Sequence, residues 1–270
     1  MTSVRQVVSE LHPATRGFAA ADRYERGRPD YPAPAIAAIA DKCGLRPGRT
    51  VLDLGAGTGK LTRLLVPTGA TVLALEPVPE MRAELERRVP GIAALGGTAE
   101  RIPLADRYVD AVAVAQAFHW FDADAALREI HRVLKPGGGV ALIWNARDER
   151  DALQAALSEI IDPLEGDTPR RKQRSWKTLL ADSGLFERTE RLLFEHAQLL
   201  DEQGVVDRVT SISFIAAAAP SVRADVETRV RALVADTPRP IRLPYMTELY
   251  LGFAIDQLTD GSSGIRATSS

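Results

Sequence analysis

Residues 51–65 read VLDLGAGTGKLTRLL. An apolar run, a glycine-rich turn and a renewed apolar periodicity in that order predict a buried strand, a tight loop and a helix. Asp53 precedes Gly55, Gly57 and Gly59 in this stretch. Glycine permits a positive φ and lets a ligand approach the backbone with no Cβ in the way, while the helix that follows presents N–H groups lacking intrahelical partners. Such a turn suits a nucleotide-like ligand. Glycines in this spacing are weak evidence alone, because any tight turn uses them. Glu76 strengthens the reading: it closes the next apolar run, TVLAL, at the distance beyond the glycines where a carboxylate can accept hydrogen bonds from ribose hydroxyls.

Working outward, the short apolar runs TVLDL, TVLAL, IAAL, DAVAVA and GVALIW alternate with helical stretches between residues 50 and 144. Strand and helix repeated in this way predict a parallel, doubly wound α/β sheet. VLDL and AVAVA are almost continuously apolar, which suits central strands covered on both faces. Upstream, residues 15–26 predict an N-terminal cap helix ending before Gly27-Arg28-Pro29, and residues 33–42 predict a helix stopped by Gly44. Downstream, residues 151–164 and 178–182 read as helical around a basic run at 169–177. ERTERLLFEHAQL reads as a strand, residues 203–218 and 222–234 as two helical stretches, and LPYMTELYLGFAI as a last strand. The expected organisation is a helical cap (1–46), a cofactor-binding core (47–147), a helical insertion with the last strands that complete the sheet and substrate pocket (148–258), and a polar, disordered tail (259–270).

Composition narrows the function. The 270 residues are 45% hydrophobic and 26% charged, as in an ordinary globular protein. A formal net charge of -2 leaves no positive field for nucleic acid, so a small-molecule partner is expected. The N-terminus lacks the apolar core of a signal peptide and no stretch is long enough to span a bilayer, which predicts a cytoplasmic protein with no membrane partner, either monomer or homodimer. Cys43 is the single cysteine and reads as a small buried hydrophobe. His12, His131 and His196 show no metal-ligand spacing, and no metal is expected; His131 reads as a surface residue.

The loop also discriminates between cofactors. Lys60 stands where the third glycine of a dinucleotide fingerprint belongs, which disfavours a nicotinamide dehydrogenase. Asp53 beside the turn would repel a pyrophosphate but attract a cationic amino-acid moiety, directly or through water. S-adenosylmethionine carries one. The successive stretches DLGAGTGKLT, EPVPEM, GTAERIPL, FHWF and RVLKPGGGVAL resemble the motifs of class I methyltransferases. YERGRPDYP, AQAFHWFD, IWNARD and LPYMTELYL resemble, more narrowly, the small-molecule branch related to trans-aconitate methyltransferase.

The resemblance implies a Rossmann-like seven-stranded sheet with its last strand antiparallel, and S-adenosylmethionine as cofactor. It implies that Asp53, Gly55, Ala56 and Gly57 lie at the methionine part, that Glu76 and the adjoining Pro77 take the ribose side, and that Thr98, Ala99 and Glu100 flank adenine. Many relatives have aspartate where Thr98 stands, so Glu100 or backbone groups take over the polar contact. Gln116 would lie by the sulfonium, with Tyr24 and Arg28 closing over the cofactor and Arg28 pairing with its carboxylate. His119 follows the end of a central strand and is the candidate base, with core packing or substrate orientation as the alternatives. Phe118, Trp120, Trp144 and Arg147 are the candidate substrate residues, with Arg150 placed like Arg147 for an acidic acceptor. The expected function is O-, N- or C-methylation of a small molecule, with a cofactor-binding protein that has a non-transfer role as the alternative.

Overall fold

The computed structural model describes residues 27–166 and 176–256. The expected cap helix at 15–26, most of the basic run and the tail lie outside these residues. In chain order the helices are α1 (Ala33–Lys42), α2 (Lys60–Leu65), α3 (Pro79–Arg88), α4 (Ala123–Val133), α5 (Ala152–Ile161), α6 (Trp176–Asp182), α7 (Glu202–Thr210), α8 (Ser213–Ala216) and α9 (Pro220–Val234). The strands are β1 (Thr50–Leu54), β2 (Thr71–Leu75), β3 (Ala94–Leu95), β4 (Val109–Ala115), β5 (Leu134–Arg147), β6 (Phe186–Leu200) and β7 (Ile241–Ala254).

The strands form one seven-stranded sheet in the order β3-β2-β1-β4-β5-β7-β6. Neighbours from β3 to β5 run parallel, and β7 is antiparallel to both β5 and β6. The doubly wound parallel core is what the alternation of runs implied, and the Rossmann-like seven-stranded sheet with an antiparallel last strand is what the family resemblance implied. The two-residue side-chain period sorts each central strand between two cores. Leu52, Leu54, Val112, Val114, Val140 and Leu142 face α4, while Val51, Ala111, Ala113, Ala141 and Ile143 face α1 and α2. Small residues on that second face let α1 lie close against the sheet, through Ala35, Ile36 and Ile39.

A third core lies over the first half of β7. Leu157 and Ile161 of α5, Val205 and Val209 of α7, and Val226, Val230 and Val234 of α9 enclose Ile241, Leu243 and Tyr245. The expected late helical segments are thus present, but 203–218 is divided. The Thr210 hydroxyl donates to the Val206 carbonyl and the Ser211 hydroxyl to that of Arg208. Local capture of carbonyls by hydroxyls is a known way to end a helix. Two strand estimates also shift: β3 is reduced to two residues, and β5 begins at Leu134, before the expected Gly139, because Leu134 already pairs with Val109 ahead of a register break.

Candidate functional site

The loop between β1 and α2 is stitched to the end of β2, with the Gly55 and Ala56 N–H groups both donating to the Leu75 carbonyl (2.8 and 3.0 Å). Gly55 has φ +72°, and a Cβ there would stand 2.8 Å from the Ala117 Cβ. Gly57, at φ +58°, faces open space. Its N–H donates to Oε2 of Glu76 at 2.9 Å, and the Val78 N–H donates to Oε1 at 2.9 Å. Burial raises the Glu76 carboxyl above its usual value, against the pull of the Val78 and Gly57 amides and of Arg82. The result is a nearly enclosed carboxylate held open at the mouth of a parallel sheet, where α/β proteins bind their ligands.

A cleft begins there. Gly55, Gly57, Glu76 and Pro77 line one side, Thr98, Ala99 and Glu100 a second, and Gln116 with Trp120 a third. Eleven of the sequence-derived residues are therefore gathered around one space or its extension: a smaller adjoining pocket adds Arg28 and Ala56 to Gly55, Gly57 and Gln116. Gln116 has a positive φ of 55° and donates from Nε2 to the Asn145 carbonyl at 3.2 Å, which carries it from β4 to the end of β5. Glu100 accepts the Asp122 N–H at 3.0 Å, tying this wall to the start of α4. An open cleft of about 420 Å³ shares Arg28 and Lys60 with the smaller pocket and continues to Asp30, Arg63, His196 and Gln198.

Several expected roles do not match the geometry. Asp53 is fully enclosed beneath the loop, where its Oδ2 accepts the Thr62 hydroxyl at 2.6 Å and its Oδ1 has no partner. Burial pushes its carboxyl up to about 7, Thr62 draws it down, and Glu76 adds to the rise. It acts on the loop from behind and does not face the cleft. Trp144 is 0% exposed, edge-on to Tyr250 in the core under α4, and Phe118 is 1% exposed in the same cluster. Neither can meet a substrate, because both point inward on the face that α4 covers. Arg147 lies beside Asp162 (2.7 Å) and Glu149 (3.9 Å), and Arg150 binds Asp148 and Glu195, so acidic neighbours engage both. His119 packs on Trp120 (5.1 Å between ring centres) and is not among the residues lining the cleft. His131, half-buried, reaches the Ile255 carbonyl at 2.9 Å. Tyr24 lies outside the described residues.

Other side chains enter the site without having been expected to line it. Met81 and Phe121 line the cleft beside Glu76, and Tyr31, Lys60 and His196 line its extension. Met81 and Phe121 lay inside the quoted stretches EPVPEM and FHWF, but their direction depended on the helix start and turn. His196 carried no signal, since its partner Asn145 is distant in sequence. Among the described residues no three His, Cys, Asp or Glu side chains gather as a metal cage, and no helix is long and apolar enough to cross a membrane.

The fold and loop are those of Rossmann-like α/β proteins, a class whose ligands bind at the carboxyl ends of the strands. Residues 52–142 match the methyltransferase domain family. An uncharacterized methyltransferase of Mycobacterium tuberculosis (strain H37Rv) is 43% identical over 83% of this chain and 89% of its own length. A methyltransferase-like protein of Schizosaccharomyces pombe is 32% identical over 83% and 90%. Among solved structures, a protein provisionally assigned as a type II methyltransferase of Anaeromyxobacter dehalogenans superposes with TM-score 0.61, 22% identity and coverage of 84% of this chain and 98% of that one. The chain belongs to the class I S-adenosylmethionine-dependent methyltransferase family, and it is a methyltransferase.

Proposed function

We propose that the cleft lined by Glu76, Thr98 and Gln116 binds S-adenosylmethionine and that the chain passes its methyl group to a small molecule lodged in the adjoining open cleft. The observation that carries this reading is the Glu76 carboxylate, anchored by the Gly57 and Val78 amides beside a glycine with no Cβ. Both its oxygens keep acceptor capacity for a pair of ribose hydroxyls. Thr98 and Glu100 then flank the adenine side, and Gln116 with Arg28 the methionine side.

The cofactor supplies an electrophilic methyl carbon, and the chemistry is an in-line displacement. The protein's part is to align the acceptor and exclude water, and alignment contributes roughly 7–11 kcal/mol in favourable systems. Trp120 and Phe121 make that end of the cleft apolar, and His119 supports Trp120 from outside. The open cleft, at about 420 Å³, matches the size of small-molecule sites. Resemblance to the trans-aconitate methyltransferase branch supports an acceptor of that scale.

Calorimetric titration with S-adenosylmethionine and S-adenosylhomocysteine, with a nicotinamide dinucleotide as control, tests the reading. Binding of the adenosyl ligands alone is expected. Losing hydrogen bonds to a charged group costs about 1.5–3 kcal/mol, so Glu76→Ala should weaken binding roughly 10- to 100-fold. Unchanged affinity in a folded Glu76→Ala variant would remove the cleft from consideration. Turnover to S-adenosylhomocysteine separates a transferase from a protein that only holds the cofactor.

A further inference from the structure

The open cleft contains one imidazole whose protonation the surrounding structure dictates. Nε2 of His196, on β6, lies 3.1 Å from Oδ1 of Asn145 at the end of β5. The direction of that contact follows from the other end of the amide. Nδ2 of Asn145 faces two backbone carbonyls, Asp30 at 3.0 Å and Pro29 at 3.4 Å, and can only donate to them. The opposite orientation would set oxygen against oxygen twice. Oδ1 is therefore the atom between His196 and Thr247, whose hydroxyl also donates to it at 2.6 Å. An amide oxygen cannot donate, so Nε2 carries the proton and Nδ1 keeps the lone pair. No protein group among the described residues hydrogen-bonds to that Nδ1.

The ring is also held in place. It stacks on Tyr245 of β7 at 5.6 Å and 24°, and Arg208 fixes that tyrosine by donating from Nε to its hydroxyl at 2.9 Å. Around the same cleft stand Arg28, Lys60 and Arg63, with Asp30 as the acidic member. Lys60 and Arg63 both pair with Asp30, and among the described residues the cleft lining counts three cationic side chains to one carboxylate. Burial lowers the His196 pKa below the usual histidine value, and Asp30 opposes that shift, which keeps the ring neutral near neutral pH.

We infer that His196 is the proton acceptor for methyl transfer to a hydroxyl-bearing acceptor, with Asn145 as the positioning residue that selects its tautomer. This inference rests on the methyl-transfer reading above. In the step it serves, the acceptor's oxygen bonds to the methyl carbon while the carbon–sulfur bond breaks and leaves its electron pair on sulfur. The hydroxyl proton passes to Nδ1, and the imidazolium so formed later returns it to water. Arg28, Lys60 and Arg63 favour the oxyanion character that develops on the acceptor, which suits phenols and hydroxy acids over cationic amines.

The test uses the full chain with nitrogen-15 in its imidazoles, the His196 signals being assigned by their loss in His196→Gln. Near neutral pH the folded protein should show a protonated Nε2 and a bare Nδ1. S-adenosylhomocysteine affinity should be the same in wild type and His196→Gln. Methyl transfer from labelled S-adenosylmethionine to a panel of phenols and hydroxy acids should fall about 100-fold or more in the variant, and its acid-side pH limb should vanish. A proton on Nδ1, or undiminished transfer by a variant that binds S-adenosylhomocysteine normally, overturns the assignment. Failure of wild type itself to bind either adenosyl ligand overturns the methyl-transfer reading instead.

Discussion

Asp53 shows how one buried side chain links the motif to stability. Its carboxyl is raised to about 7 by burial, above the unfolded value of about 3.9. The folded state therefore holds a proton where the unfolded chain has already released it. The associated stability is present below about pH 4 and is lost as pH rises towards about 7. Measured against Asp53→Asn, whose amide does not titrate, the wild-type melting temperature should decline across that window and then run parallel. A constant difference would show that Asp53 is ionised throughout. Cys43 gives a second expectation at this scale. Its thiol is pushed up to about 12 by burial, and its sulfur would meet a Cβ at Gly139 at 2.7 Å. Cys43 is itself half-buried, so alkylating reagents should label the native thiol slowly and modify it rapidly in denaturant. The glycine loop and Glu76 were legible from residue type and place, because backbone demands and strand ends are local, whereas Gln116 was pointed to by the family resemblance. The fates of Trp144, Phe118 and Arg147 were not. A strand-end aromatic is substrate wall or core depending on which face a helix covers, and Arg147 meets Asp162 only after α5 has folded back.

At the scale of elements, α4 joins the core to the cleft. Asp122 caps it by accepting the Ala125 N–H at 3.1 Å, while its own N–H donates to Glu100 on the cleft wall. Asp122→Ala should cost about 1 kcal/mol in urea unfolding, as an N-cap loss does. The same variant keeps the Glu100 contact, since the backbone N–H remains, so adenosyl-ligand affinity should be unaffected. A large loss of affinity would show that the cap itself orders the wall. The element pattern from β1 to β5 was readable because each strand is a bounded apolar run between helical stretches. The break between α7 and α8 was not, since it depends on which carbonyl each Thr and Ser hydroxyl reaches.

For the whole molecule, the sheet is buried at its centre and open at β6. Val112, Val140 and Leu142 are wholly enclosed between helix layers, whereas β6 carries the exposed Leu193 and Leu199. Native-state hydrogen exchange should be slowest in β1, β4 and β5 and fastest, among the strands, in β6. Uniform protection across the sheet would mean that β6 gains a covering partner in solution.

The sequence alone determined the doubly wound sheet, the glycine-rich loop and the acidic residue that faces it, because periodicity, turn chemistry and strand ends are written within a few residues. It also carried the family, through ordered motifs. Only the tertiary structure decided that Asp53 works from behind the loop, that two aromatic candidates belong to the core, and that His196 meets Asn145 beside Arg28 and Lys60. Those outcomes rest on contacts between residues far apart in the chain, and burial and hydrogen-bond direction exist only once the strands and helices have packed.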